Sequence, residues 1–123
     1  MEYKYFSEEE LSCSHCQENG MNDDFMEKVE ALREELGFPF VVTSGYRCRS
    51  HPIEARKFSA GAHSTGNAID IAVSGDEAYR LLEGAFKAGF TGIGVNQKGD
   101  VRFIHLDNIK EGQGRPRPWV WSY

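Results

Sequence analysis

The sequence predicts an α+β fold: a small, mainly antiparallel sheet with two principal helices. Three observations lead there. The chain has 123 residues, 40% apolar and 27% charged, which suits one globular domain over residues 1–123. Two segments carry apolar residues at helical spacing, and they stand before and between several short runs of strand character. The last of those runs are separated by turns containing Gly, Asp and Pro.

Ser7, followed by three glutamates, predicts a capped helical turn, because a serine oxygen can accept orphan amide protons and acids suit the positive end of a helix. A loop from Ser12 to Met21 completes an N-terminal segment over residues 1–21. Phe25, Val29, Leu32 and Leu36 then fall at helical spacing, Asn22 can cap the start and Gly37 can end it, so residues 23–36 are read as helix. Pro39 to Thr43 is a short β-branched run and reads as a buried strand. Ser44 to Gly66 has no clear period apart from a helical turn starting at Pro52, and its length for a passive loop points to function. Ala68 to Val73 reads as a strand. Asp76 to Ala88 reads as a second amphipathic helix with Leu82, Ala85 and Phe86 inward and Gly89 as its stop. Gly92 to Val95, Val101 to Leu106 and Pro118 to Trp121 complete the strands, the last an edge with Trp119, Trp121 and Tyr123 on one face.

Charge and composition exclude several functions. Nineteen acids against fourteen Lys and Arg give a net charge of −5, which speaks against a nucleic-acid partner held by bulk positive charge. No apolar run approaches the ~20 residues that cross a bilayer, so no membrane insertion is expected. The start lacks the basic and apolar regions of a signal peptide. A monomer that is cytoplasmic as synthesised is therefore expected. Three cysteines are too few for a secreted disulfide scaffold, and metal binding or ordinary burial is the better starting point.

The chemistry concentrates at two places. Around Asp70, a period-two reading puts Ile69, Ile71 and Val73 on one face and Ala68, Asp70 and Ala72 on the other, so a carboxylate stands among small residues. In the later strand Ile104 and Leu106 share one face, and Phe103, His105 and Asp107 share the opposite one. If the two strands are neighbours, Asp70 and His105 project into one cleft and His63 arrives from its glycine-flanked loop. Two imidazoles and a carboxylate, with a fourth position left to water, is the ligand set of a catalytic zinc site.

In order and spacing, the segments 44–47 (Ser-Gly-Tyr-Arg), 62–70 (from Ala62-His63 to Ile69-Asp70) and 103–107 (Phe-Ile-His-Leu-Asp) resemble the M15 zinc peptidases. These are D-alanyl-D-alanine carboxypeptidase-like enzymes whose relatives include phage endolysins and hedgehog signalling domains. The resemblance runs from about Asn22 onward and implies the hedgehog/DD-peptidase fold. It also implies zinc ligands at His63, Asp70 and His105, with Arg47 binding the substrate carbonyl or carboxylate. The activity implied is hydrolysis of amide bonds in peptidoglycan stem peptides, at a bond involving a D-amino acid, with a phage lysis system giving an unexported chain its route to the cell wall.

The expected mechanism has zinc polarising the carbonyl and activating water, with Arg47 as a fixed charge on the developing oxyanion. One departure concerns the general base. Several M15 branches carry an acid three residues before the last histidine ligand, and that position is Arg102 here. Asp107 is the first candidate and Asp100 the second, while Asp107 has an equal claim to orienting a ligand histidine. A non-catalytic zinc module of the same fold, acting in peptide binding or assembly, is the alternative reading. A thiol redox protein is a third, disfavoured because the Cys13–Cys16 pair does not stand between a strand and a helix.

The cysteines form a second constellation. Cys13-x2-Cys16 and Cys48-x2-His51 have the residue types and spacing of a closed, structural zinc site that would tie the N-terminal segment to the loop carrying Arg47. His15 could replace His51, although its place between two cysteines is less comfortable. Arg47, Arg49, Arg56 and Lys57 against Glu54 make a local basic excess that would suit a carboxylate-bearing peptide.

Overall fold

The computed structural model describes residues 2–53, 61–112 and 115–123. Helix α1 spans Glu8–Leu11 and α2 spans Asp23–Leu36. Strand β1 is Val41–Ser44, a 3-10 turn covers Ala62–Thr65, and β2 is Ala68–Ala72. Helix α3 is Gly75–Ala88, followed by β3 (Gly92–Asn96), β4 (Phe103–Asp107) and β5 (Trp119–Ser122). The helical turn expected at Pro52 and the charges of Glu54, Arg56 and Lys57 fall wholly or largely outside the described residues.

The caps form as the residue types require. Ser7 and Glu10 make a reciprocal capping box on α1. Asn22 accepts the Phe25 amide at 3.0 Å on α2, a bond whose loss costs on the order of 1 kcal/mol in such helices. Phe25, Met26, Val29 and Leu32 point inward from α2, and Ala78, Leu81 and Ala85 from α3. The two helices approach closely where Leu32 lies over Gly84. Phe86 is 60% exposed, against the expectation that it faces inward. The stripe through Leu81 and Ala85 sets the phase of α3, and the residue after Ala85 turns about 100° off it, to solvent.

The sheet is ordered β1-β2-β4-β3-β5. β1–β2, β2–β4 and β3–β4 pair antiparallel, as expected of a mainly antiparallel sheet, while β3–β5 pair parallel and make it mixed. At the start of β5 the Trp119 amide donates to the carbonyl of Thr91, the residue just before β3, at 2.8 Å. β5 is the edge strand expected. β1 is the other edge, and Val41 is 59% exposed, so the run is not the buried strand its β-branched residues suggested. Phe38 and Phe40, just before it, are the residues that enter the core.

One face of the sheet packs on α2 and α3 through Ile69, Ile71, Ile93, Ile104 and Leu106. Each such side chain taken fully out of water stabilises the fold by roughly 1.5–3 kcal/mol. The opposite face carries the polar residues. A single row crosses all five strands there, Ser44, Asp70, His105, Gly94 and Trp121, each opposite the next.

Candidate metal centre

Asp70 and His105 face each other across the β2–β4 pair, and His63 enters from the 3-10 turn just before β2. That turn is closed by Ser64 N–H donating to Gly61 and by the Thr65 hydroxyl donating to the Ala62 carbonyl at 2.6 Å. The Asp70 Oδ1 atom lies 3.0 Å from His105 Nδ1 and 3.3 Å from His63 Nε2. The imidazole centroids are 5.2 Å apart and near perpendicular. All three residues are buried.

Each imidazole is oriented through its other nitrogen. His63 Nδ1 donates to the Gly45 carbonyl at 2.9 Å, which leaves Nε2 aimed at Asp70. His105 Nε2 donates to Asp107 Oδ2 at 2.7 Å, which leaves Nδ1 aimed at Asp70. Asp107 is clamped from behind by Arg117, whose Nε donates to Oδ1 at 3.0 Å and whose NH2 donates to Oδ2 at 2.9 Å. The donor set fits zinc: two imidazole nitrogens and a carboxylate oxygen lie within 4.8 Å of one another, and a partner on the far side of each ring fixes its tautomer.

Burial by itself would raise the Asp70 carboxyl, but hydrogen bonds and charge from His105 and His63 hold it well below the usual range. Asp107 is likewise lowered, its burial outweighed by His105 and Arg117. For His105 burial acts downward, and Asp107 and Asp70 overcome it and raise the imidazole above the ordinary histidine value.

Asp107 is wholly buried with both oxygens engaged. That placement fits the orienting role rather than the proton-accepting one. Asp100 is exposed in the β3–β4 turn, and Arg102 folds back there to donate to the Gly99 carbonyl at 3.1 Å. The Arg47 backbone N–H donates to the His63 carbonyl at 3.1 Å. Its charge reaches Tyr123, whose phenol is raised first by burial, then pulled down by Trp121 and Arg47 and up by Asp70 and Asp107. Arg47, Tyr123 and the histidine cluster thus share one electrostatic neighbourhood.

Two contributors escape a reading by sequence alone. Trp121 lies with its ring centroid 5.1 Å from that of His105, in the space left by Gly94, where a Cβ would come within 2.6 Å of the indole nitrogen. Arg117, within a Pro-Arg-Pro run that looks like a turn, holds Asp107. The alternation of Trp119, Trp121 and Tyr123 is a signal for the first, and none marks the second. Cys13, Cys16 and Cys48 also converge, with their sulfurs within 4.8 Å of one another, while neither His15 nor His51 belongs to that group.

A family model described as Peptidase M15 matches residues 4–107. The chain belongs to the M15 peptidase family. M15 peptidases are generally zinc-dependent, and the His63, Asp70 and His105 donors offer this one a site for the ion. No curated protein matches this M15 chain. Among the described residues, no helix is long and apolar enough to cross a membrane.

Proposed function

We propose that this M15 family member is a zinc peptidase of the hedgehog/DD-peptidase fold that hydrolyses amide bonds in peptidoglycan stem peptides, at a bond involving a D-amino acid. The observation that carries the proposal is the convergence of His63, Asp70 and His105 on one buried point, in a chain of a peptidase family. Zinc held there would polarise the scissile carbonyl and lower the pKa of a bound water toward ~7. Asp70 contributes a carboxylate that stays ionised across the working range. Gly45 and Asp107 keep the two imidazoles in the tautomers that present a lone pair. Arg47 supplies a fixed positive charge for the substrate carbonyl or carboxylate. Trp121 covers the His105 ring and keeps bulk water from that side. On this reading a phage lysis system would supply the protein to the wall.

Digestion of purified peptidoglycan with mass analysis of the fragments tests the proposal. The zinc-loaded protein is expected to release fragments shortened at one stem-peptide bond, and His63→Ala and His105→Ala are expected to release none. Intact fragments throughout, from a protein that holds zinc at this site, would instead establish the non-catalytic zinc module. Arg102 at the position of the expected acid, and the engagement of both Asp107 oxygens, are the observations that favour that second reading.

A further inference from the structure

Two segments distant in sequence bring the three cysteines together. Cys13 and Cys16 lie in the turn after α1, Cys48 follows β1, and no disulfide joins them. The first turn is tight: Cys13 N–H donates to the Glu18 carbonyl at 2.8 Å, Gln17 N–H donates to the Cys13 carbonyl at 2.9 Å, and Gln17 takes the left-handed conformation. This geometry aims backbone donors at sulfur. Cys13 Sγ accepts the amide of His15 at 3.4 Å and that of Cys48 at 3.3 Å. Such donors favour the thiolate, the form that ligates metal. Three sulfurs so close, if ionised, repel one another unless a cation lies between them.

A fourth donor stands at the edge of the three-sulfur cluster, beside Cys48, and would close on an ion by moving nearer to the other two sulfurs. His15 Nδ1 lies 3.6 Å from Cys48 Sγ. A tetrahedral ion with Zn–S near 2.3 Å and Zn–N near 2.0–2.1 Å has an S···N edge of about 3.6 Å. His51, the fourth ligand expected from the sequence, is otherwise engaged. Its Nε2 is 3.2 Å from the Ser14 hydroxyl and its Nδ1 accepts the Ile53 amide at 3.2 Å.

We infer that Cys13, Cys16, Cys48 and His15 form a second metal site, a closed structural one that takes zinc. Its effect is on the strap from Gly45 to Cys48. The Leu11 carbonyl accepts the Tyr46 amide at 3.0 Å, the Gly45 carbonyl orients His63, and the Arg47 amide binds the His63 carbonyl. An ion at Cys48 would fasten this strap to the N-terminal turn. It would thereby hold the backbone that positions His63 and Arg47, without touching substrate. The site stands on its own residues and does not depend on the peptidase reading.

Cobalt(II) exchanged for zinc in the intact protein tests the inference, because thiolate ligands give an intense near-ultraviolet charge-transfer absorption that His63, Asp70 and His105 cannot produce. The wild type should show this absorption and hold about two ions per chain. Cys16→Ser should weaken the band, His15→Ala should alter the visible ligand-field bands, and His51→Ala should leave both unchanged. Should Cys16→Ser fail to fold, the rate of thiol modification in the wild type decides, and it should rise when a chelator removes the ion. Absence of the charge-transfer band, thiol reactivity indifferent to chelator, or spectra changed by His51→Ala and not by His15→Ala would overturn the assignment. Thiolate absorption without peptidoglycan cleavage would sink only the peptidase proposal; cleavage without thiolate absorption would sink only this one.

Discussion

His63 and His105 are steadied by unlike partners, a neutral carbonyl behind one and a carboxylate clamped by arginine behind the other. The carboxylate couples the protonation of His105 to stability. Its value is raised in the fold, so the stability it contributes is fully present below its unfolded value and is lost as pH rises through the folded one. Asp70 and Asp107 are lowered, so their contributions are present above the ordinary carboxylate value and are lost only as pH falls through their folded values. The metal-free protein should therefore melt highest between about pH 4 and 6.5 and lose Tm above that window, by about 4 °C for each kcal/mol. Zinc needs His105 neutral, so the Tm gained on adding zinc should grow over the same rise in pH. Calorimetry in chelator and in zinc, from about pH 5 to 9, checks both slopes, and Asp107→Asn should flatten the metal-free one. The convergence of His63, Asp70 and His105 is legible in the sequence because each is a local anomaly: a histidine between glycines, a carboxylate amid small strand residues, and a histidine facing away from the apolar side. Arg117 is not legible, because its partner is set by how the chain returns after β4.

Apart from the 3-10 turn at Ala62–Thr65, which lies in a segment without clear period, the described helices and strands are legible to within a residue or two, since the helices announce period and caps and the strands their alternation. The direction of β5 is not. A four-residue strand presents the same alternation whichever way it runs, and only the path of the segment after β4 makes it parallel to β3. That direction brings Trp121 opposite Gly94 and onto His105, so the absence of a side chain at residue 94 is a packing requirement. Gly94→Ala should cost about 1–3 kcal/mol through overpacking against the indole. If that contact is the cause, Gly94→Ala combined with Trp121→Ala should be markedly less destabilising than the sum of the two changes. Urea unfolding of the four proteins measures this coupling, and strict additivity would separate the two residues.

Across the whole molecule, the apolar centre lies on the middle strands, while much of what orients the metal donors comes from the margins. The strap that follows β1 holds His63, β5 carries Trp121, and the segment leading into β5 holds Asp107 through Arg117. Both outer strands are largely open to solvent and are paired on one side only. Marginal strands open with less free energy than the domain as a whole. The arrangement of metal donors should therefore come apart before the fold does. On slow heating, peptide cleavage is expected to fail several degrees below the loss of far-ultraviolet ellipticity and to return on cooling, with amide protons of β1 and β5 exchanging ahead of those in β2 and β4. Coincident loss of activity and structure would show the margins to be as firm as the centre. A molecule built this way should age from its rim: mild heat or a protease nick at either border is expected to disorder the metal donors while most of its architecture survives.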